Sequence, residues 1–370
     1  MRRILCLSLL TLILGAGTAL AQTTPAPAER TLNVFNWSDY IDPYAVARFT
    51  AETGIRVRYD VYDSLETLEG RMAAGRSGYD IIVPTSEPSF SRMVRSGALL
   101  PLDRSLIPTW GGQDPALLAK VETSDPGNRY GAIYLWGTVG LAVRPDRIRA
   151  ILGDVPLDSL DLLMRPEIAR RLSACGIAVM DSGIDVIPSV LQWLGRDPNS
   201  AAPEDLRAAE AALLAIRPSV RAITASATIL DAVAAGEYCV AMTYSGDTIQ
   251  AQARAEEANR GVQVRYVQPK EGAQLWFDML AIPADAPDPA AAHAFIAHVL
   301  RPEVMAGITN HTRYPNAVPA SLPMVDAAVR DDHNIYPTPE MIGRTFTVTA
   351  LPPAAERARA RSWSRFKAGR

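Results

Sequence analysis

The stretch Gly272-Ala-Gln-Leu-Trp276-Phe-Asp278-Met-Leu-Ala-Ile-Pro283 decides the organisation of this chain. It reads as a short strand, and strand side chains alternate between two faces. Trp276 and Asp278 therefore share one face, while Phe277 and Met279 share the other. A flat ring beside a carboxylate suits an organic ammonium, which can pair with the carboxylate and lie against the ring. The plainer alternative is a half-buried strand whose Asp278 faces water.

The segments around this stretch predict a chain that crosses twice between two α/β units. A strand at Val262–Tyr266 and a turn at residues 269–272 lead into the stretch and form one crossing. The glycine-interrupted run Tyr130–Val143 is long for one strand and forms the other. Strands and helices alternate on both sides, which indicates parallel sheets. We expect lobe 1 at residues 31–136 and 272–335, lobe 2 at residues 137–271, and a C-terminal surface tail at residues 336–370 that packs near the hinge.

Two local patterns give sharper helix boundaries. Asp42 and Pro43 are an N-cap and a first-turn proline, and Gly54 follows Thr53, so we expect a helix between them. Ser64 opens a second helix that runs to about residue 74. The segment 78–84 reads as a buried strand, and a further helix is expected from about residue 248 to residue 259.

The N-terminus predicts export. Arg2 and Arg3 precede an apolar run at residues 4–14, and the small-residue site Ala19-Leu20-Ala21 follows. This is the pattern of a signal peptide at residues 1–21, and residues 22–30 read as a flexible lead-in. No other apolar run approaches the roughly 18 residues that span a bilayer. We therefore expect a periplasmic protein.

Length and charge restrict the function. A mature chain of about 350 residues exceeds what one core usually organises. The formal net charge is -3, and removal of Arg2 and Arg3 makes it -5, since -3 - 2 = -5. An acidic exported protein is a poor candidate for binding nucleic acid.

Enzyme and metal motifs are missing from the sequence. It contains no Gly-x-Ser-x-Gly, His-Glu-x-x-His or Cys-x-x-Cys motif, and its four histidines lie in the last quarter. His293 and His298 are five residues apart, which is not the spacing of a helical metal pair. We expect no cofactor and no metal. A hydrolase with two carboxylates remains open as the enzyme alternative.

Two cysteines remain after the signal peptide. Cys175 and Cys239 each lie in a short apolar run, so the two runs could be neighbours in one sheet. The periplasm of a Gram-negative bacterium is oxidising. We expect a disulfide between them, and two buried free thiols are the alternative.

Aromatic and acidic side chains follow several predicted strands. They occupy residues 37–40, the aspartates at 181 and 185, and residues 244–247, while Thr85-Ser86 follows the third strand. Ligands of open α/β sheets bind beyond the carboxyl ends of strands. Helix N-termini there attract anions, so a cation would need carboxylates that outweigh the helix dipoles. Each residue also has a plainer interpretation: Asp247 could cap the helix expected at Thr248, and Trp37 could be a core ring.

The chain resembles the periplasmic polyamine-binding proteins of ABC transporters, most closely the putrescine receptors. The similarity runs from about Thr31 to the C-terminus and is carried by residues 34–43, 78–84, 136–138, 244–247 and 269–283. The resemblance implies an α/β, two-lobed type II periplasmic binding fold with two crossover strands and a cleft between the lobes. It also implies hinge closure on the ligand and docking on a membrane permease.

The resemblance implies a set of ligand contacts, carried over position by position. The set is Trp37, Ser38, Asp39, Tyr40, Thr85, Asp185, Tyr244, Asp247, Trp276, Asp278 and Tyr314. The family commonly has Ser, Glu and Trp at positions 85, 185 and 244, so this chain departs at three positions. Trp276 is typical of spermidine receptors, whereas putrescine receptors tend to carry Phe there.

The expected protein is a monomeric receptor, not an enzyme, for putrescine first and spermidine second. A diamine is dicationic at neutral pH, so both ends need matching charge. We expect Asp247 and Asp278 to hold one ammonium, and the turn at Ser38-Asp39 with Asp185 to hold the other. Receptors for another cationic solute, such as agmatine or a basic amino acid, remain open. An amino acid would want an Arg for its carboxylate, and the expected set contains none.

Overall fold

The computed structural model describes residues 30–370 of the 370-residue chain. The expected signal peptide, and all of the expected lead-in except Arg30, lie outside the described residues. Within residues 30–370, ten strands form one continuous sheet system. They are β1 (Thr31–Trp37), β2 (Arg56–Tyr62), β3 (Ile81–Ile82), β4 (Gly131–Val143), β5 (Ile177–Met180), β6 (Ala222–Thr224), β7 (Val240–Tyr244), β8 (Arg265–Val267), β9 (Ala273–Ala281) and β10 (Thr345–Phe346).

Helices pack on both sides of the strands. They are α1 (Pro43–Thr53), α2 (Leu65–Ala73), α3 (Ser91–Ser96), α4 (Pro115–Val121), α5 (Pro145–Leu152), α6 (Asp161–Met164), α7 (Pro166–Leu172), α8 (Gly183–Trp193), α9 (Pro203–Ile216), α10 (Ser226–Ala234), α11 (Ser245–Ala258), α12 (Pro289–Val299), α13 (Pro302–Thr312), α14 (Ala327–Arg330), α15 (Pro339–Gly343) and α16 (Pro353–Ala368). Short irregular helical turns connect several of them, including one at Ser86–Phe90 just before α3.

The strand order is β2-β1-β3-β9-β4-β7-β5-β6, with β10 beside β9 and β8 beside β4. Strands β1, β2 and β3 are parallel, and so are β5, β6 and β7. Strand β4 joins the two groups: residues 131–138 pair with β9, and residues 139–143 pair with β7. Strand β9 then returns the chain to the first group, where it pairs with β3. The predicted α/β class with two crossover strands is confirmed.

The alternation predicted for β9 is also observed. Trp276 and Leu280 pack in the larger core cluster, whereas Leu275, Phe277, Met279 and Ala281 pack in a second cluster. Asp278 is only 4% exposed. The alternative in which this carboxylate faces water is therefore wrong.

Local signals set some boundaries accurately. Helix α1 has Asp42 as its N-cap, with a side chain that accepts from the Tyr44 N–H, and it ends at Gly54 in the left-handed region (φ 70°). Helix α2 is capped by Ser64 as predicted. The strand expected at residues 78–84 is only two residues long, because just Ile81 and Ile82 find partners on β1 and β9.

Helix α11 begins at Ser245, three residues before the predicted start. Gly246 lies in its first turn directly against the Tyr314 ring, and a Cβ at this position would come within 2.4 Å of that ring. Asp247 is thus inside the first turn. The interpretation of Asp247 as a cap before Thr248 is wrong.

The C-terminal helix is more deeply packed than a surface tail. Helix α16 lies against α8 and α9. It buries Trp363 and Phe366, which are 8% and 0% exposed. Most of its charged residues are exposed or half-buried, although Arg359 is buried, and Arg365 pairs with Glu210 of α9. The many arginines of this helix led to its prediction as part of a surface tail, because composition alone does not show that its apolar residues pack against the protein.

The predicted disulfide between Cys175 and Cys239 is present, with a Cα–Cα distance of 5.6 Å. The two cysteines precede β5 and β7, which are neighbours and pair Ile177 with Val240. The alternative of two free thiols is wrong.

Candidate ligand-binding site

One cavity lies at the ends of strands from both groups. Strands β1, β2, β5, β6 and β7 end beside it, and β9 runs along its floor. The cavity has a volume of about 110 Å³, whereas one water needs roughly 10 to 15 Å³. All eleven expected site residues line this cavity. The fold therefore brings the whole set together.

The lining also includes residues outside the expected ligand set. They are Tyr62 at the end of β2 and Asp63, Ser64, Leu65 and Glu66 after it, Met180, Asp181, Ser182 and Ile184 around the end of β5, and Ala225, Ser226, Ala227 and Leu230 after β6. Of these, Asp181 was noted from the sequence as an acidic residue after a strand. The strand-end rule that found the others also applies to β2 and β6. The polar residues after these two strands were not predicted as site residues, because their sequences are also typical of helix caps or of the core.

Asp278 is the most deeply buried carboxylate of the site. The Thr85 hydroxyl donates to its Oδ1 at 2.6 Å. Burial raises the pKa of Asp278 to about 7, and the negative charge of Asp185 adds to the rise. The hydroxyls of Thr85 and Tyr40 oppose it, although the Tyr40 hydroxyl makes no hydrogen bond of normal geometry. At neutral pH this carboxyl group is thus close to half-protonated.

Asp185 lies in the first turn of α8 and is 7% exposed. It accepts hydrogen bonds from the hydroxyls of Ser182 and Tyr244, the latter at 2.8 Å, and from the side-chain amide of Gln274. Burial raises the pKa of Asp185, and these three donors oppose the rise. Three neutral donors thus hold this carboxylate, and no cationic side chain of the described part of the chain contacts it.

Asp247 and Tyr314 form a reciprocal pair. The Tyr314 hydroxyl donates to Asp247 Oδ1 at 2.7 Å and accepts from the Asp247 N–H at 3.1 Å. Asp247 is half-buried. Burial raises the pKa of Asp247, the Tyr314 hydrogen bond opposes the rise, and the charge of Asp39 adds to it.

Asp39 lies at the rim of the cavity. Its φ of 53° places it in the left-handed region, which suits a short side chain in a tight turn. Its carboxylate is 3.8 Å from Arg254, and both side chains are largely exposed. Next to it, the Ser38 hydroxyl donates to Asp63 at 2.7 Å. The Asp39 carboxylate is therefore accessible from solvent.

The four carboxylates form two electrostatic pairs. Asp185 raises the pKa of Asp278, and Asp39 raises the pKa of Asp247. The sharing of one ammonium by Asp247 and Asp278 stays a prediction beside this electrostatic grouping. Asp39 lies near Arg254 at the rim of the cavity, whereas Asp278 and Asp185 are buried, with 4% and 7% exposure.

Aromatic rings form the walls between these two pairs. The Trp276 ring meets the rings of Tyr244 and Tyr314 edge to face, with centroids 5.6 and 5.3 Å away. Tyr314 also meets Tyr40 at 5.3 Å, and Trp37 meets Tyr62 at 4.6 Å. Among residues 30–370, the buried Tyr40 hydroxyl and Trp276 indole N–H have no hydrogen-bond partner.

The charged side chains that line the cavity are all acidic. Seven carboxylate residues line the cavity, namely Asp39, Asp63, Glu66, Asp181, Asp185, Asp247 and Asp278. The Asp181 carboxylate accepts hydrogen bonds from Trp363 and Lys367. Of the residues that line it within the described part of the chain, none is Lys or Arg. The side-chain charge of this lining attracts cations.

Comparison with known proteins decides the family. Residues 44–337 match the family of bacterial extracellular solute-binding proteins. The chain belongs to this family. The prediction of a binding protein rather than an enzyme is thereby confirmed.

Two relatives resemble this solute-binding protein over nearly its whole length. The putrescine-binding periplasmic protein SpuD of Pseudomonas aeruginosa (strain UCBPP-PA14) is 43% identical over 97% of this chain and 98% of its own length. The putrescine-binding periplasmic protein PotF of Escherichia coli (strain K12) is 42% identical over 97% of both chains.

A solved structure confirms the fold of the solute-binding protein. The spermidine/putrescine ABC transporter substrate-binding protein PotD from Streptococcus pneumoniae is 26% identical and superposes with a TM-score of 0.76. The match covers 92% of this chain and 99% of the other. The two-lobed type II periplasmic binding fold expected from the sequence is therefore confirmed. Within residues 30–370, no helix is both long and apolar enough to cross a bilayer.

Proposed function

We propose that this solute-binding protein is a periplasmic receptor for polyamines, with putrescine as its first ligand and spermidine as its second. It delivers the ligand to the permease of an ABC transporter and acts as a monomer. One observation carries the proposal: buried and half-buried carboxylates from both strand groups line one aromatic cavity that has no Lys or Arg in its lining. The names of the two relatives, both putrescine-binding periplasmic proteins, support the same ligand class.

The two electrostatic pairs match the two ends of a diamine. Asp39 and Asp247 receive one ammonium at the rim, and Asp278 and Asp185 receive the other in the interior. A dication loses its hydration on entry, so each end needs a carboxylate with good geometry. Before any ligand enters, the Thr85 hydroxyl donates to Asp278 and the Tyr244 hydroxyl donates to Asp185. These hydrogen bonds fix the orientation of the two carboxylates.

The rings supply the apolar part of recognition. Methylene groups buried against Trp276, Tyr314 and Tyr40 gain roughly 0.8 kcal/mol each. An ammonium over a ring face gains about 0.5 to 2 kcal/mol. Edge-to-face contacts among the rings hold them in place before the ligand arrives.

Ligand binding is coupled to closure of the lobes. We assign residues 31–136 and 272–335 to lobe 1, residues 137–271 to lobe 2, and the hinge to β4 and β9, with residues 336–370 packed near it. Asp39 and Asp278 then belong to lobe 1, and Asp185 and Asp247 to lobe 2. A ligand that contacts both lobes favours the closed state. Small-angle scattering should show a smaller radius of gyration with putrescine, and an unchanged radius would contradict this step.

Calorimetric titration tests the ligand class. Putrescine, spermidine, agmatine, lysine and arginine are titrated separately into the protein after unfolding and refolding, which removes any ligand retained from the cell. We expect putrescine to bind most tightly and spermidine next. Lysine and arginine should bind weakly, because no lining cation meets their carboxylate. Preferential binding of an amino acid would refute the polyamine assignment.

Two further measurements test export and transport. N-terminal sequencing of the protein from the periplasm should begin at Gln22 if residues 1–21 are the signal peptide. Deletion of the gene should reduce uptake of labelled putrescine by the cells, and the uptake should return with the intact gene. Uptake that does not change would argue against delivery to a permease.

A further inference from the structure

Strand β9 directs three side chains to one face at alternate positions, namely Gln274, Trp276 and Asp278. Trp276 and Asp278 line the cavity, whereas Gln274 does not. Gln274 lies at the start of the strand, where β10 pairs with it, and is only 1% exposed. The face of β9 that lines the cavity therefore continues into a buried amide.

The Gln274 amide reaches the Asp185 carboxylate. Its Nε2 donates to Asp185 Oδ1 at 2.5 Å. The hydroxyls of Ser182 and Tyr244 both donate to the other oxygen, Oδ2. Within residues 30–370, no other side chain donates to Oδ1. A single amide thus sets the direction of this oxygen.

The opposite end of the Gln274 amide has no hydrogen-bond partner. Its Oε1 is buried and, among the residues that the structure describes, accepts from no donor. Reversal of the amide would bring Oε1 against the Asp185 carboxylate, which can only accept. A buried acceptor without a partner lowers stability, and an apolar side chain of the same length would avoid this cost. The contact with Asp185 therefore accounts for an amide at position 274.

A second contact fixes the spacing between α8 and β9. Gln192 lies two turns after Asp185 on α8, and its Nε2 donates to Glu271 O at 2.6 Å. Gly272 passes so close to Gln192 that an added Cβ would lie 2.9 Å from this nitrogen. Because the helix and the start of the strand are held together here, the length of the Gln274 side chain determines where the Asp185 carboxylate stops.

We propose that Gln274 is a positioning residue, which holds the Asp185 carboxylate in one place and thereby sets the length of diamine that the site prefers. This role rests on the proposed function, in which Asp185 serves the interior ammonium and Asp39 and Asp247 serve the ammonium at the rim. Each added methylene lengthens the span between the two ammonium groups. A carboxylate held in one place favours one chain length, whereas a carboxylate that can rotate follows the ligand.

The experiment compares three diamines by calorimetric titration, namely 1,3-diaminopropane, putrescine and cadaverine. Gln274→Met keeps the length of the side chain and removes the donor. We expect it to bind putrescine roughly tenfold more weakly than wild type, as loss of a hydrogen bond to a charged group requires. The other two diamines should lose less affinity, so the preference for putrescine should shrink. Equal losses for all three diamines would overturn the proposal.

Gln113→Met is the matched control. Gln113 is also a buried glutamine, with 4% exposure, and its Oε1 accepts from the Ile133 N–H at 2.9 Å. It lies outside the cavity lining. The control should lower stability and leave the ratios of the three affinities unchanged. A control that changed these ratios as Gln274→Met does would show that loss of a buried amide is sufficient, which would overturn the proposal.

An Asp185→Ala background tests whether Gln274 acts through this carboxylate. In that background, Gln274→Met should change the ratios of the three affinities no further. A change as large as in the wild-type background would contradict the positioning role.

A pair of variants keeps the proposal testable if Gln274→Met fails to fold. Gln274→Asn keeps the amide but withdraws it by one methylene, and Asp185→Glu returns one methylene from the other side of the contact. We expect the double variant to bind putrescine more tightly than Gln274→Asn alone. Equal or weaker binding would overturn the positioning role. Failure of the wild-type protein to bind any diamine would instead refute the proposed function.

Discussion

The Thr85 hydroxyl donates a 2.6 Å hydrogen bond to Asp278 Oδ1, and the same two residues face each other across an antiparallel bridge. The bridge joins the segment after β3 to the middle of β9, and the Met279 N–H donates to Pro84 O beside it at 3.0 Å. The backbone thus fixes both partners before any ligand enters. A preorganised carboxylate loses little entropy when it receives an ammonium.

Removal of the Asp278 carboxylate should nearly abolish binding. Asp278→Ala leaves the interior ammonium of a diamine without its main partner, which costs about 3 to 5 kcal/mol, or two to four decades of affinity. Calorimetry with putrescine measures the loss. Asp154→Ala is the control, since the Asp154 side chain is fully exposed. A loss below tenfold for Asp278→Ala would contradict the assignment of this residue.

The stability of the empty protein should depend on Asp278 and pH. Its pKa is about 7 when folded, against an ordinary value of 3.8, so the folded state holds an extra proton between these values. The corresponding stability is fully present below about pH 4 and is lost as pH rises through about 7. We expect a contribution of up to about 4 kcal/mol, from a shift of about three units.

Urea unfolding of wild type and Asp278→Asn at about pH 5 and pH 8 measures this contribution. The variant cannot titrate at this position, so its stability should change less with pH than that of wild type. Other carboxyl groups titrate equally in both proteins and cancel in the difference. If the free energy of unfolding rose more steeply with pH in wild type than in the variant, the predicted contribution of Asp278 would be wrong.

The Thr85 hydroxyl should contribute to affinity through Asp278. Thr85→Val keeps the shape but removes the donor, and a hydrogen bond to a charged group contributes about 1.5 to 3 kcal/mol. We expect a loss of roughly ten- to hundredfold in putrescine affinity, and a pKa of Asp278 above that in wild type. Thr85→Ser keeps the hydroxyl and should remain within a few-fold of wild type. Equal losses in both variants would indicate that the methyl group, not the hydroxyl, matters.

Gly246→Ala should disturb the Tyr314 wall of the site. The new methyl would meet the Tyr314 ring at 2.4 Å, so the ring and its hydrogen bond with Asp247 must shift. We expect putrescine affinity to fall by at least tenfold while the protein still folds, since overpacking costs about 1 to 3 kcal/mol. The control is Gly70→Ala in helix α2, where no atom lies within 4 Å of the new Cβ. That variant should bind normally and gain roughly 0.5 to 1 kcal/mol in stability.

Removal of the disulfide should lower stability and leave binding intact. Cys175 and Cys239 are 64 residues apart, and closure of such a loop stabilises by about 4 kcal/mol in the chain-entropy description. The double variant Cys175→Ala/Cys239→Ala should lose about this much free energy of unfolding. Putrescine affinity should stay within a few-fold of wild type, because the disulfide precedes β5 and β7 while the cavity lies beyond their other ends. A strongly weakened affinity would show that the disulfide also shapes the site.

The sequence alone determined the features that act over a few residues. The cap at Asp42, the stop at Gly54 and the alternation along β9 follow from local backbone and side-chain geometry. The strand-end rule, together with the family resemblance, also gave eleven residues that line one cavity. It missed the polar residues after β2 and β6, because Ser64 and Ser226 read equally well as the beginnings of helices.

Only the tertiary structure determines which carboxyl groups of the site interact and in which direction their pKa values shift. The raised pKa of Asp278 and the effect of the Asp39 charge on the pKa of Asp247 depend on atoms from segments far apart in the chain. The close approach of Gly246, in the first turn of α11, to Tyr314 is likewise a contact between distant segments. Desolvation and Coulomb interactions follow distances in space, and the order of residues along the chain does not contain those distances.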